Sequence, residues 1–190
     1  MLVLILGLVL FLGIHSTRIV APDMRARLIS AYGDNAWKGV YSVIAIVGVV
    51  LIAWGYGMAR ADPIVVWQPP VWTRHLTMLL MLPVFVMVAA AYMPGRIQTA
   101  LKHPMLVGVK LWAAAHLLSN GTLADIVLFG GFLAWAVADR ISLKRRPAAQ
   151  GPAVMRPGPA GDAAAIIVGL AVYLLFVFYL HEALFGVPPV

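Results

Sequence analysis

What most constrains this chain is the recurrence, along nearly its whole length, of apolar runs long enough to cross a lipid bilayer. A helix rises about 1.5 Å per residue, so the hydrocarbon core asks for about 20 apolar residues. Segments at 1–20, 36–58, 71–92, 101–118, 123–138 and 163–184 meet or approach that length. Only 11% of the residues are charged and 63% are hydrophobic, whereas soluble domains carry roughly a quarter charged residues. A water-soluble fold of this composition would leave too much apolar surface exposed. Backbone groups in lipid must bond within their own segment, and these runs lack the two-residue alternation of a membrane barrel. The sequence therefore predicts an all-α fold, a polytopic transmembrane bundle of about six helices with the lipid bilayer as its solvent. Pro83 is expected to kink the third span. The first run, MLVLILGLVLFLGIHS, has no basic segment before it and no small-residue cleavage motif after it. It reads as a retained helix rather than a signal peptide.

The net charge of +7 has a topological explanation. Arg18, Arg25, Arg27 and Lys38 lie between the first two spans, Arg96 and Lys102 between the third and fourth. Arg140, Lys144, Arg145, Arg146 and Arg156 lie between the fifth and sixth. The alternate segments hold only Arg60 and Arg74, and Lys110 falls within the fourth span. The basic residues thus follow the positive-inside rule rather than marking a nucleic-acid surface, and they place both termini on the periplasmic side of a bacterial inner membrane. With no cysteine, disulfides, thiolate metal sites and cysteine nucleophiles are excluded. Residues 1–146 read as a five-helix core, 147–162 as a flexible Pro/Ala/Gly linker, and 163–190 as the sixth helix and C-terminus.

Ionisable groups inside spans are where chemistry is to be sought. The chain has five histidines, His15, His75, His103, His116 and His181. A neutral imidazole binds haem iron or another metal and moves protons, but an interfacial histidine with its polar edge among headgroups is the plainer reading, above all for His181 beside Glu182. His116 and Asp125 flank the Ser119-Asn120-Gly121 turn at similar distances, so a carboxylate could orient the imidazole. Alternatively, Asp125 simply suits the N-terminus of the fifth helix. Lys110, seven residues after His103, lies deep enough to need an interior partner or a long snorkel. Trp37, Trp67, Trp72 and Tyr92 read as interface anchors. Arg74, after Pro69-Pro70, could meet an anionic group such as a haem propionate, or ordinary headgroups.

The runs GIHSTRIVAP, AWKGVYSVIAIVGVVLIAWGYG, PPVWTRHLTMLLMLP and HPMLVGVKLWAAAHLLSNGTLADIVLFGGFLAWAVADRISLKRR, spread in order over residues 1–146, resemble the NnrU family of bacterial membrane proteins. That resemblance implies an association with nitric-oxide and denitrification metabolism and a relation to 15-cis-zeta-carotene isomerase, a membrane haem b protein. Carried over by motif, it implies haem b held by His15 of GIHS and His116 of LWAAAH. Where the isomerase has a cysteine three residues before the second ligand, this chain has Ala113, so ligand exchange through sulfur is not available to it. The topology pulls against that pair. His15 falls near the cytoplasmic end of the first span and His116 near the outer end of the fourth, on the order of 20 Å apart in depth. Two axial ligands want α-carbons on the order of 12 Å apart. Depth alone pairs His116 with His75 or His181, and His15 with His103; His15/His116 stands first on the resemblance and His75/His116 second.

The reading that follows is a haem b protein of the inner membrane working in redox or nitrogen-oxide metabolism with a membrane redox partner. Two alternatives stay open: a haem-dependent isomerase acting on a hydrophobic polyene, and a cofactor-free accessory or transporter-like protein. The orientation is checked by fusing alkaline phosphatase or green fluorescent protein to either end: active phosphatase and dark fluorescent protein are expected at both, and the converse pattern at either end refutes it.

Overall fold

The computed structural model describes residues 1–145 and 158–189. In chain order the helices are α1 (Leu2–Val20), α2 (Pro22–Tyr32), α3 (Asp34–Ala61), α4 (Trp72–Ala90), α5 (Arg96–Leu101), α6 (Pro104–Ser119), α7 (Leu123–Arg145), α8 (Pro159–Leu175) and α9 (His181–Phe185). A π-helical turn, Phe176–Leu180, makes α8 and α9 continuous. No strand occurs among the described residues. Among the described residues five helices are long and apolar enough to span a membrane: α1, α3, α4, α7 and the continuous Pro159–Phe185.

The expected fourth span is shorter than its sequence suggests. Lys102 turns to φ 60° and Pro104 opens α6, which leaves an apolar helix of 16 residues. Proline has no N–H to give and disfavours helical geometry in the residue before it, so α5 and α6 cannot fuse through His103. A helix is also present where the sequence suggested only a connecting segment: α2 begins with Pro22 and Asp23 in its first turn and stops at Gly33, whose φ of 86° suits glycine. Of the linker expected over 147–162, residues 147–157 lie outside the described residues, and Pro159 to Asp162 form the first turn of α8.

The described residues divide into two compact units, Met1–Trp67 with Gly121–Arg145, and Gln68–Asn120 with 158–189. In the first unit α1 and α3 run antiparallel at close range. Gly7 faces the backbone of Leu51 and Ile52, Gly48 faces Phe11, and Gly55 faces Leu4. A Cβ on Gly48 would lie 2.8 Å from the Phe11 nitrogen, so the approach requires glycine. Gly48 and Gly55 are two turns apart and share one face, as do Leu4 and Phe11. α7 completes the unit, with Gly131 against Leu8 and Leu12.

In the second unit α4 packs on α6 and on α8. Gly169 of α8 lies against the Val86 backbone, and Gly108 of α6 against Val84 and Val88. The Thr77 hydroxyl donates to the Ala115 carbonyl at 2.7 Å. α4 continues through Pro83, and the Tyr173 hydroxyl of α8 donates to the Met78 carbonyl at 3.1 Å in the turn that the proline loosens. The Asp162 carboxylate accepts from the Ile97 N–H at 2.9 Å and so caps the start of α5.

Small residues share the core with Leu4, Leu8, Leu106, Leu128 and Phe129, and many large apolar residues lie outside. Ala113, Ala115, Ala136 and Ala165 are fully or almost fully buried, whereas Val43, Ile46, Val50 and Trp54, recurring along α3, are each more than half exposed. That distribution suits helices whose surroundings are lipid. Gly48→Leu is expected to destabilise the protein in detergent by about 1–3 kcal/mol or more. Gly57→Ala, whose Cβ meets nothing within 4 Å, should stay within about 0.5 kcal/mol of the parent. Equilibrium unfolding of both variants checks the pair.

Candidate functional site

α1 ends in consecutive polar residues that an apolar setting would penalise unless each found a partner. Each does so within the helix. Ser16 Oγ donates to the Leu12 carbonyl at 2.6 Å and Thr17 Oγ1 to the Ile14 carbonyl at 2.8 Å. His15 Nδ1 lies 2.7 Å from the Phe11 carbonyl. A carbonyl only accepts, so Nδ1 donates in this bond, and in the neutral ring the lone pair then lies on Nε2.

The register of the unit surrounds His15 with rings. Phe11 is one turn back, with centroids 4.1 Å apart. Tyr41 stands two turns before Gly48, on the face that meets α1, at 5.1 Å from the imidazole. Trp135 of α7 approaches at 5.9 Å with its ring perpendicular, and Phe132, one turn earlier, packs on Phe11 at 5.6 Å. The Trp135 indole Nε1 is buried and has no hydrogen-bond partner among the described residues. A donor left so costs about 1–3 kcal/mol, and such an atom calls for an acceptor.

His116, in the last turn of α6, repeats the arrangement in the second unit. Its Nδ1 lies 2.9 Å from the Trp112 carbonyl and donates to it. The Trp112 ring is 5.5 Å away. Asn120 then closes the helix, its side-chain and backbone N–H groups both donating to the His116 carbonyl at 2.9 Å.

The other candidates are placed differently. α4 and α6 run antiparallel, so His75 lies level with His116, but it is exposed and stands about 200° around α4 from the buried Thr73 and Thr77 that face α6. Arg74 is exposed in the first turn of α4. Lys110 is half-buried in the middle of α6. His103 occupies the N-cap position of α6. His181 holds the chain end, its Nδ1 2.6 Å from the Val187 carbonyl.

Asp125 is 4% exposed and takes the helix-terminus role. Thr122 and Asp125 form a reciprocal capping box at the start of α7. The Thr122 N–H donates to Asp125 Oδ2 at 2.9 Å, and the Asp125 N–H reaches Thr122 Oγ1 at 3.3 Å. The Thr122 hydroxyl also donates to Oδ2 at 2.7 Å, and Tyr56 Oη of α3 donates to Oδ1 at 2.5 Å. A strap at residues 64–67 crosses above: Ile64 accepts from the Leu123 N–H, and the N–H groups of Val66 and Trp67 both donate to the Gly121 carbonyl. A side chain on Gly121 would collide with the Trp67 carbonyl, so that position must be glycine. The T-x-x-D spacing carried the capping signal in the sequence. Tyr56 and Trp135 had none, because their roles depend on contacts far along the chain.

Among the described residues no group of three or more His, Asp or Glu side chains is placed to hold a metal ion. Haem asks less of a protein, because the macrocycle supplies four nitrogens and the chain one or two axial ligands.

These features define a multi-pass helical membrane protein with histidines near helix ends that bond to carbonyls of their own helices. The chain belongs to the NnrU family: the family model described as NnrU protein matches residues 3–189. No curated protein and no solved structure matches it.

Replacing Asp125 by Ala leaves Thr122 and Tyr56 without their acceptor and is expected to cost about 2–4 kcal/mol, since hydrogen bonds to a charged group contribute about 1.5–3 kcal/mol each. Tyr56→Phe should cost less, and a double-mutant cycle of the two changes in detergent unfolding should show coupling above about 0.5 kcal/mol.

Proposed function

We propose that this NnrU-family protein binds haem b, with His15 and His116 as the ligand candidates that the family resemblance supplies, and serves nitric-oxide, denitrification or related redox metabolism in the bacterial inner membrane, in exchange with a membrane redox partner. The observation that carries the reading is the matched state of the two imidazoles. Each directs Nδ1 to the carbonyl four residues earlier, so that in the neutral ring Nε2 is the nitrogen that carries the lone pair. A hydrogen bond on the remote nitrogen orients a ligating imidazole and raises its basicity.

The chemistry of the surroundings supports the same reading. Phe11, Tyr41, Phe132 and Trp135 give the part-buried His15 an apolar, aromatic setting suited to a flat macrocycle. The unpaired Trp135 N–H offers a donor to a polar edge such as a propionate. Arg74, exposed at the start of α4, is a second candidate for an anionic substituent. Bound haem would supply a one-electron iron centre whose potential is set by these ligands and by the low dielectric around them.

The test is an absorption spectrum of protein purified after haem-supplemented expression, oxidised and reduced. A Soret band and sharp reduced bands of a low-spin bis-histidine haem are expected. His15→Ala and His116→Ala should each lose the low-spin signature or the haem, whereas His181→Ala should keep both. Protein that folds and carries no Soret band refutes the proposal.

A further inference from the structure

The proposed haem site makes no use of α2, and that helix has features a plain connector would not need. It joins α1 to α3, two antiparallel helices already in backbone contact. At 11 residues it covers only about half of the hydrocarbon thickness, so it cannot be a span. Single-residue joints turn the chain at both ends, Ala21 with φ −140° and ψ 54° and Gly33 with φ 86°. The helix therefore belongs at the membrane surface where α1 and α3 end.

Its faces are sorted. Met24, Leu28 and Tyr32 recur at four-residue spacing and form one stripe, and Met24 and Tyr32 remain 43% and 74% exposed in the structure. Arg25 and Arg27 fall on the two flanks of that stripe, and Asp23, Ala26 and Ser30 fall on the opposite side. Cations beside an apolar stripe, with the anion farthest from it, is the pattern of a helix lying in a bilayer interface. A helix facing water alone would not expose the stripe, and one covered by a protein partner would not need cations along both flanks. The Arg25 guanidinium also sits 5.7 Å over the ring of Trp37 in the first turn of α3. That contact ties the helix to an aromatic side chain of the kind found at headgroup level.

We propose that α2 is an in-plane anchor that rests its Met24–Leu28–Tyr32 stripe in the acyl boundary and selects anionic phospholipids through Arg25 and Arg27. Phosphodiester headgroups that carry a net negative charge fit the two flanking guanidiniums, and zwitterionic ones fit them less well.

The absence of native cysteine makes site-directed spin labelling clean. Single cysteines at Met24, Leu28, Tyr32, Ala26 and Ser30 are labelled in the full chain, reconstituted in phosphatidylcholine vesicles with and without phosphatidylglycerol. Labels at 24, 28 and 32 should be accessible to oxygen and protected from a water-soluble nickel chelate, and labels at 26 and 30 should show the reverse. A uniform pattern overturns the proposal. So does shielding of the stripe from both reagents, which would mark a protein partner or a second copy of the chain. Spin-labelled phosphatidylglycerol should associate with the parent protein more strongly than spin-labelled phosphatidylcholine, and the preference should fall by up to about five-fold per arginine removed in Arg25→Gln/Arg27→Gln. An unchanged preference in that variant overturns the lipid selectivity.

Discussion

In lipid, two helices gain little by hiding apolar side chains from their surroundings, so their association depends on how closely the backbones can approach. In the first unit that approach is set by Gly7, Gly48 and Gly55, and much else follows from it. The register that puts Gly48 on Phe11 also brings Tyr41, two turns earlier on the same face, against His15. It leaves α7 to close the third side with Phe132 and Trp135. A ring-lined histidine is therefore the product of a helix contact made elsewhere along α1, and its precision is inherited from three positions without side chains.

The polar groups obey a second constraint, that none can rely on water. Ser16, Thr17, His15 and His116 bond to carbonyls of their own helices, and Asp125 is met by Thr122 and Tyr56. Local satisfaction makes polar residues tolerable in an apolar setting, and it determines their chemistry as well. A neutral imidazole that donates Nδ1–H to a backbone carbonyl carries its lone pair on the other nitrogen. Against this background of satisfied groups, the Trp135 N–H stands out as a donor that the surrounding residues do not answer.

Much of the fold was legible because apolar length is a one-dimensional signal. The runs at 1–20, 36–58, 71–92 and 163–184 correspond to helices with ends shifted by a few residues. The signal failed where geometry rather than hydropathy decides. The break at Lys102–Pro104 rests on backbone angles, and α2 is too polar and too short to register as a span. The candidate residues divide in the same way. The capping box of Thr122 and Asp125 is written in adjacent sequence, and so is the last-turn position of His116. Tyr56 and Trp135 entered only once α3 and α7 were packed, because a partner more than sixty residues away leaves no local trace. His75 shows the reverse case: its depth matches His116, but its position around α4 turns it outward.

The first unit is not contiguous in sequence. It takes Met1–Trp67 and then Gly121–Arg145, with much of the second unit translated between them. The strap at 64–67 emerges early and waits for Gly121 and Thr122 before its hydrogen bonds can form. Within that unit, the contacts among α1, α2 and α3 need no residue beyond Ala61. The aromatic enclosure of His15 and the anchoring of Asp125 are both delayed until α7 is inserted. Enclosure of His15 therefore waits for α7, so a product truncated before Leu123 lacks the side of the pocket that α7 supplies.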